Sequence, residues 1–199
     1  MKKLTLRHFN DMLTVIVVVL CLYVVLAPFV PNLSFWWKKS VTKQTPPLVA
    51  ALEDPTTPEI MPEKNMLVIP SLGLEQEIFE SADQSALKKG VWRYPRASSP
   101  DQGMNTVLIG HRFTYGGPAV FYHLDKVKVG DTVVLYWNQK KHEYRVDAMT
   151  EVAPTATEIQ RKDTGKETLT IYTCTPLVTA KNRLVIQASP LNAVEEGAP

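Results

Sequence analysis

The chain has almost no cysteine: two in 199 residues, Cys21 and Cys174. They do not form a disulfide framework, because Cys21 lies in an apolar segment far from Cys174. Histidine is scarce as well, at four residues. His111 and His123 with Cys174 do not give the short-spaced ligand pairs a zinc site needs. A Gly-x-Ser-x-Gly elbow and a phosphate-binding glycine loop are both missing, which removes two common enzyme readings. The formal net charge is only +2, so nucleic acid is not implied as a partner. No internal repeat is visible.

What the chain does have begins with a long apolar run. Residues 1–11 carry Lys2, Lys3, Arg7 and His8, and residues 12–30 hold no charge. As a helix at ~1.5 Å per residue that run spans ~28 Å, close to a bilayer core. The basic residues before it predict a single-pass membrane anchor with a cytoplasmic N-terminus and the remainder outside the cell. Lys38, Lys39 and Lys43 on the far side weaken that contrast. Phe35, Trp36 and Trp37 suit the outer interface. The alternative is a cleaved signal peptide, but the run is long and no clear small-x-small cleavage site follows. Cys21 is then a small apolar filler.

Residues 31–64 are rich in Pro, with Pro46, Pro47, Pro55, Pro58 and Pro62. They predict a partly extended linker, on the order of 3 Å per residue. A folded domain is expected over 65–190, followed by a tail over 191–199. Within it, short strands are expected at 66–70, 74–79, 105–109, 131–137, 142–148, 168–173 and 182–188. Ser81 to Gln84 fits a capping box ahead of a short helix that Gly90 ends. Frequent turn residues between short strands predict an all-β barrel or sandwich with short helices.

The stretch 168–188 organises the rest. Leu169, Ile171 and Thr173 alternate with Thr168, Thr170 and Tyr172; Leu184, Ile186 and Ala188 alternate with Arg183, Val185 and Gln187. If the leucine and isoleucine faces point into a core, Cys174 and Arg183 stand side by side on the outer face of two adjoining strands. A thiol is nucleophilic only as thiolate and needs a base or a nearby cation. His8 lies on the inner side of the membrane, His142 in a charged turn expected to be solvated, and His123 in an apparent helical turn. His111 ends a strongly apolar strand after a glycine, where a groove could open. A buried, inert Cys174 and a merely structural His111 stay open as alternatives at this point.

The residues also resemble a known family. Thr170-Ile-Tyr-Thr-Cys174 is similar to the Thr-Leu-x-Thr-Cys signature of the sortases, membrane-anchored cysteine transpeptidases of bacterial surfaces, with Ile171 in place of Leu. Leu108-Ile-Gly-His-Arg112 resembles the family's apolar-Gly-His pattern, and Asn182-Arg183-Leu-Val-Ile its arginine strand. The resemblance covers roughly residues 66–188. It implies a closed β-barrel of about eight strands. It also implies His111, Cys174 and Arg183 as catalytic residues, with Thr173 and Tyr115 touching substrate. Gly110 through Pro118 is closest to the class E branch, in which the tyrosine, here Tyr115, goes with preferring Leu-Ala-x-Thr-Gly over Leu-Pro-x-Thr-Gly. Residues 53–56 lack the aromatic expected after Asp-Pro in the inhibitory lid of pilin-polymerising members.

The implied reaction is cleavage of a sorting signal between Thr and Gly through a thioester, then transfer to an amine. Implied partners are sorting-signal-bearing secreted proteins and an amine acceptor such as a peptidoglycan precursor or a pilin lysine. No cofactor is implied; calcium is possible among Glu143, Asp147, Glu151 and Glu158. A surface protease that only hydrolyses shares these residues, and a non-catalytic membrane-tethered β-domain with a buried thiol is the other alternative. An L,D-transpeptidase is not supported, since Tyr172-Thr-Cys-Thr-Pro lacks its Ser-x-Gly-Cys-x-Arg pattern.

Overall fold

The computed structural model describes residues 6–26, 45–54, 56–58, 60–114, 117–177 and 179–191. The chain divides into two compact units, Met1–Gln44 and Thr45–Pro199. The first contains α1 (Leu6–Leu26). Its stretch His8–Leu26 is long and apolar enough to cross a membrane, as a span or a signal sequence would be. The helix starts earlier than the apolar run, because a few polar residues do not interrupt helical hydrogen bonding. Residues 27–30 lie outside the described residues.

The second unit is a closed barrel of eight strands in the order β1-β2-β3-β4-β9-β10-β8-β7. The strands are β1 (Met66–Ile69), β2 (Leu74–Glu80), β3 (Val91–Arg93), β4 (Asn105–Ile109), β7 (Thr132–Trp137), β8 (Lys140–Val152), β9 (Thr168–Thr175) and β10 (Asn182–Pro190). A two-stranded ribbon, β5 (Phe113–Thr114) and β6 (Gly117–Pro118), stands apart from it. The barrel is mixed: β2–β3 and β4–β9 are parallel and the other pairs antiparallel. Period-2 alternation sends Leu67, Ile69, Leu108, Leu135, Leu169, Ile171, Leu184 and Ile186 into one core. Burying each such side chain contributes about 1.5–3 kcal/mol.

Two local devices set the register. Trp137 faces Lys140 across a two-residue turn, with Asn138 and Gln139 both at positive φ, 49° and 59°. Such a turn matches the twist of the flanking strands, and it is tighter than the loop the sequence suggests. Asn105 is buried at the start of β4. Its Oδ1 accepts from Thr168 and Thr170, and its Nδ2 donates to the Arg161 carbonyl. That satisfied amide ties β4 to β9 and opposes a slip in their parallel pairing.

Two expectations change. The stretch read as extended linker contains α2 (Pro47–Glu53). Its Leu48 and Val49 are buried against Val68, Val134 and Tyr136, the outward side chains of β1 and β7. The compact unit therefore begins well before residue 65. Proline at the first helical position fits the helix start, since its missing N–H would have no partner there. The cap after β2 also moves. Asp83, not Ser81, caps the helical turn Gln84–Lys88, accepting from Ser85 N at 2.7 Å. The turn is a 3-10 helix, too tight for a capping box that begins at Ser81.

Candidate active site

Strand β9 lies between β4 and β10. In the antiparallel pair Cys174 is directly opposite Arg183. In the parallel pair Ile109 is opposite Tyr172. One further bond, Gly110 N to the Tyr172 carbonyl at 3.4 Å, extends that ladder. Thr173 Oγ1 then donates to the Gly110 carbonyl at 2.7 Å. Two residues past Ile109 and Tyr172 come His111 and Cys174. Cys174 and Arg183 thus form a row across β9 and β10, at the ~4.8 Å spacing of neighbouring strands, and His111 lies on the segment that follows β4, the other neighbour of β9.

The face of that row is not bare. Behind it Val107, Tyr172 and Val185 form a second cluster with Ala97, packed by Ile109, Val152 and Ile159. β9 is therefore buried on both faces for most of its length, where the sequence suggested an open outer face. Its burial relaxes at Cys174, which is half-buried and free of disulfide. Tyr172 is covered, and burial pushes its phenol up to about 12, so it stays neutral. Its hydroxyl accepts from Gln160 Nε2 at 2.7 Å.

Gly110 allows the close approach that places His111. A Cβ there would meet Phe121 Cδ2 at 2.5 Å and Val120 Cγ1 at 2.8 Å. Phe121 is buried in the core and has no room to retreat. Gly110→Ala is expected to destabilise the fold by about 1–3 kcal/mol through overpacking. A denaturant titration of the variant beside the wild type measures that difference; an unchanged midpoint would contradict it. The His111 carbonyl accepts from Phe121 N at 3.0 Å, so the loop is pinned on both sides. His111 also lines a groove of ≈ 500 Å³ with Thr114, Val120, Leu87, Lys88, Lys89 and Gly90, which Cys174 does not line.

The two arginines differ. Arg112 is buried and fully engaged: Nη2 contacts Asp125 Oδ1 at 3.0 Å, Nη1 donates to Thr175 Oγ1 at 3.0 Å and Nε to the Tyr122 carbonyl at 3.3 Å. Arg183 is half-buried, and only Nη1 is used, donating to the carbonyls of Ala180 at 3.2 Å and Asn182 at 2.9 Å. Its Nε and Nη2 have no protein partner among the described residues, so donors remain for a bound peptide.

Of the two substrate-contact expectations, Tyr115 lies outside the described residues. Thr173 is 1% exposed and its hydroxyl donates to the Gly110 carbonyl. Its place on the core-facing side of β9 makes it a tie between strands. His142 is half-buried, with Nε2 at 3.7 Å from Asp101, instead of solvated. His123 packs edge-on against Tyr122, and burial holds it below the usual histidine range. Glu143 pairs with Lys141, Asp147 accepts from Ser189, and Glu151 accepts from Thr175 and Asn182. Among the described residues no three His, Cys, Asp or Glu side chains gather as a metal site would require.

The fold is a closed mixed barrel with a half-buried free thiol on a central strand. A profile of the Sortase domain matches residues 67–191, and the chain belongs to the sortase family. It is 30% identical to sortase A of Bacillus anthracis over 118 residues, 59% of this chain and 55% of that protein. It is 31% identical to sortase D of Bacillus subtilis (strain 168) over 119 residues, 60% of this chain and 58% of that protein. The chain thus spans little more than half the length of these curated relatives. Among solved structures it resembles sortase C-1 from Actinomyces oris, with a TM-score of 0.58 and 27% identity over 64% of this chain and 73% of that one. It also resembles Streptococcus agalactiae sortase C1, with a TM-score of 0.59 and 28% identity over 67% and 71%. The relatives carry the letters A, C and D, so class E is not among what these likenesses show.

Proposed function

We propose that this chain is a membrane-anchored transpeptidase that cleaves a Leu-(Pro/Ala)-x-Thr-Gly-like sorting signal between Thr and Gly. The observation that carries the reading is Cys174 paired directly opposite Arg183, with His111 two residues past the end of the strand on the other side of β9. Cys174 as thiolate attacks the threonine carbonyl. Arg183 donates to the oxyanion that develops, in a place where fixed donors are worth more than in water. As the tetrahedral adduct collapses, the C–N bond breaks and His111 as imidazolium gives its proton to the departing glycine amine. A thioester remains on Cys174. An incoming amine passes a proton to His111, attacks the thioester and releases the thiolate.

The acceptor is an amine of a cell-wall precursor or a pilin lysine. The groove that His111 lines supports this reading, because leaving and incoming amines would reach the imidazole through it. Resemblance of Gly110 through Pro118 to class E supports a preference for Leu-Ala-x-Thr-Gly. Lys2, Lys3, Arg7 and His8 ahead of the apolar run at residues 12–30 support a cytoplasmic N-terminus and a barrel outside the cell. The test is product analysis by mass spectrometry, with Leu-Ala-x-Thr-Gly and Leu-Pro-x-Thr-Gly peptides and an added amine. Transpeptidation should appear as a Thr-amide to the added amine. Hydrolysis alone, whatever the amine, would favour the surface protease. No cleavage and an inert Cys174 would favour the binding module.

A further inference from the structure

Each of the three reacting residues has a sequence neighbour in one hydrogen-bonded chain. Arg112 follows His111, Thr175 follows Cys174 and Asn182 precedes Arg183. Arg112 Nη1 donates to Thr175 Oγ1 at 3.0 Å. Thr175 Oγ1 donates in turn to Glu151 Oε1 at 3.3 Å. Asn182 Nδ2 donates to Glu151 Oε2 at 3.4 Å. At the other end Arg112 is anchored on Asp125 Oδ1 and on the Tyr122 carbonyl.

The chemistry of this chain is complete. A hydroxyl accepts and donates at once, so Thr175 relays between a cation and a carboxylate. Arg112 is buried but has its counter-ion in Asp125. Successive residues of an extended strand point to opposite sides. Bonds made by Thr175 therefore fix the strand end without occupying the side on which Cys174 stands. The same holds for Asn182 beside Arg183.

We propose that Arg112, Thr175, Glu151 and Asn182 are positioning residues that act through their neighbours. Together they hold the imidazole, sulfur and guanidinium at working separation while a peptide is bound. The inference rests on the proposed function, because it is the spacing of those groups that the tie sets. A displacement of ~1 Å at reacting atoms lowers rate by up to ~10²-fold. The tie would thus govern kcat far more than peptide affinity.

The test compares Thr175→Val, which keeps shape and loses the hydroxyl, with Thr175→Ser, which keeps it. The full chain in detergent is assayed with a Leu-x-x-Thr-Gly peptide. Alkylation by iodoacetamide is followed against pH on the Cys174-containing fragment, so that Cys21 does not interfere. Wild-type turnover tests the functional reading; the ratio of variant to wild type tests the tie. Thr175→Val should lower kcat about tenfold with KM nearly unchanged and displace the alkylation profile, and Thr175→Ser should recover most of the loss. Glu151→Gln, at an exposed residue, should lower kcat in the same sense even if Thr175→Val does not fold. Its loss should not add to that of Thr175→Val, since both break one chain. Wild-type kcat and profile in these variants, equal impairment by Val and Ser, or fully additive losses would each overturn the proposal.

Discussion

Replacing Cys174 by alanine will reduce cleavage of a sorting peptide by about 10⁴-fold or more, to the limit of detection. The size follows from the chemistry. In the proposed mechanism Cys174 supplies the electron pair that displaces the glycine amine, and an alanine methyl has none. The neighbours cannot substitute. Thr173 is buried and donates to Gly110, Thr175 is committed to Arg112 and Glu151, and Tyr172 is held neutral by burial. The fold should survive, because Cys174 is half-buried and its side chain is small. A Cys174→Ala protein that keeps its melting midpoint and loses turnover separates chemistry from structure. Turnover retained in that variant would remove the enzyme assignment.

The second large effect is expected at Arg183. Arg183→Ala should lower kcat/KM by about 10²–10³, the usual cost of losing an oxyanion donor. Two contributions add in the same direction. The guanidinium carries a fixed positive charge in the strand directly opposite Cys174, which attracts the oxyanion of the proposed mechanism. It also presents Nε and Nη2 while Nη1 holds the carbonyls of Ala180 and Asn182. Arg183→Lys keeps the charge but lacks the planar fork, so it should recover only part of the loss. Arg112→Ala provides the contrast. Arg112 is buried and paired with Asp125, so its loss should lower the melting midpoint, which Arg183→Ala should leave nearly unchanged. Steady-state rates beside thermal unfolding distinguish the two arginines; equal behaviour would contradict their separate roles.

Much of this arrangement could be read along the chain. The alternation in 168–173 and 182–188 requires only the period of a strand, and it placed Cys174 and Arg183 on one side of adjoining strands. The pairing of those two residues is what the barrel shows. The lateral order was less accessible. Nothing in the spacing of 105–109 and 168–173 says that β4 runs parallel to β9; the buried Asn105 that ties them is visible only once folded.

The missed features share a cause. Helix α2 is seven residues long in a Pro-rich stretch, too short for a sustained helical period, although Pro47 followed by Leu-Val-Ala-Ala-Leu is a usable signal. The outer face of β9 looked polar because Thr168 and Thr170 lie on it, but Ala97 and Ile159 from distant loops cover Tyr172. Thr173, the neighbour of the thiol, lies on the inward face to which the alternation assigns it. Side-chain relays such as Arg112 to Thr175 to Glu151 join residues far apart in sequence and leave no periodic trace.

The claim on which the mechanism depends is that the acyl group of a cleaved peptide passes through the sulfur of Cys174. Intact-mass analysis of the full chain, quenched in acid soon after mixing with excess Leu-Ala-x-Thr-Gly peptide and no amine, tests it directly. The expected result is a protein heavier by the peptide up to threonine, with the adduct on the Cys174 fragment and lost on adding hydroxylamine. Cleavage with no adduct at Cys174, or with the adduct on another residue, would contradict it.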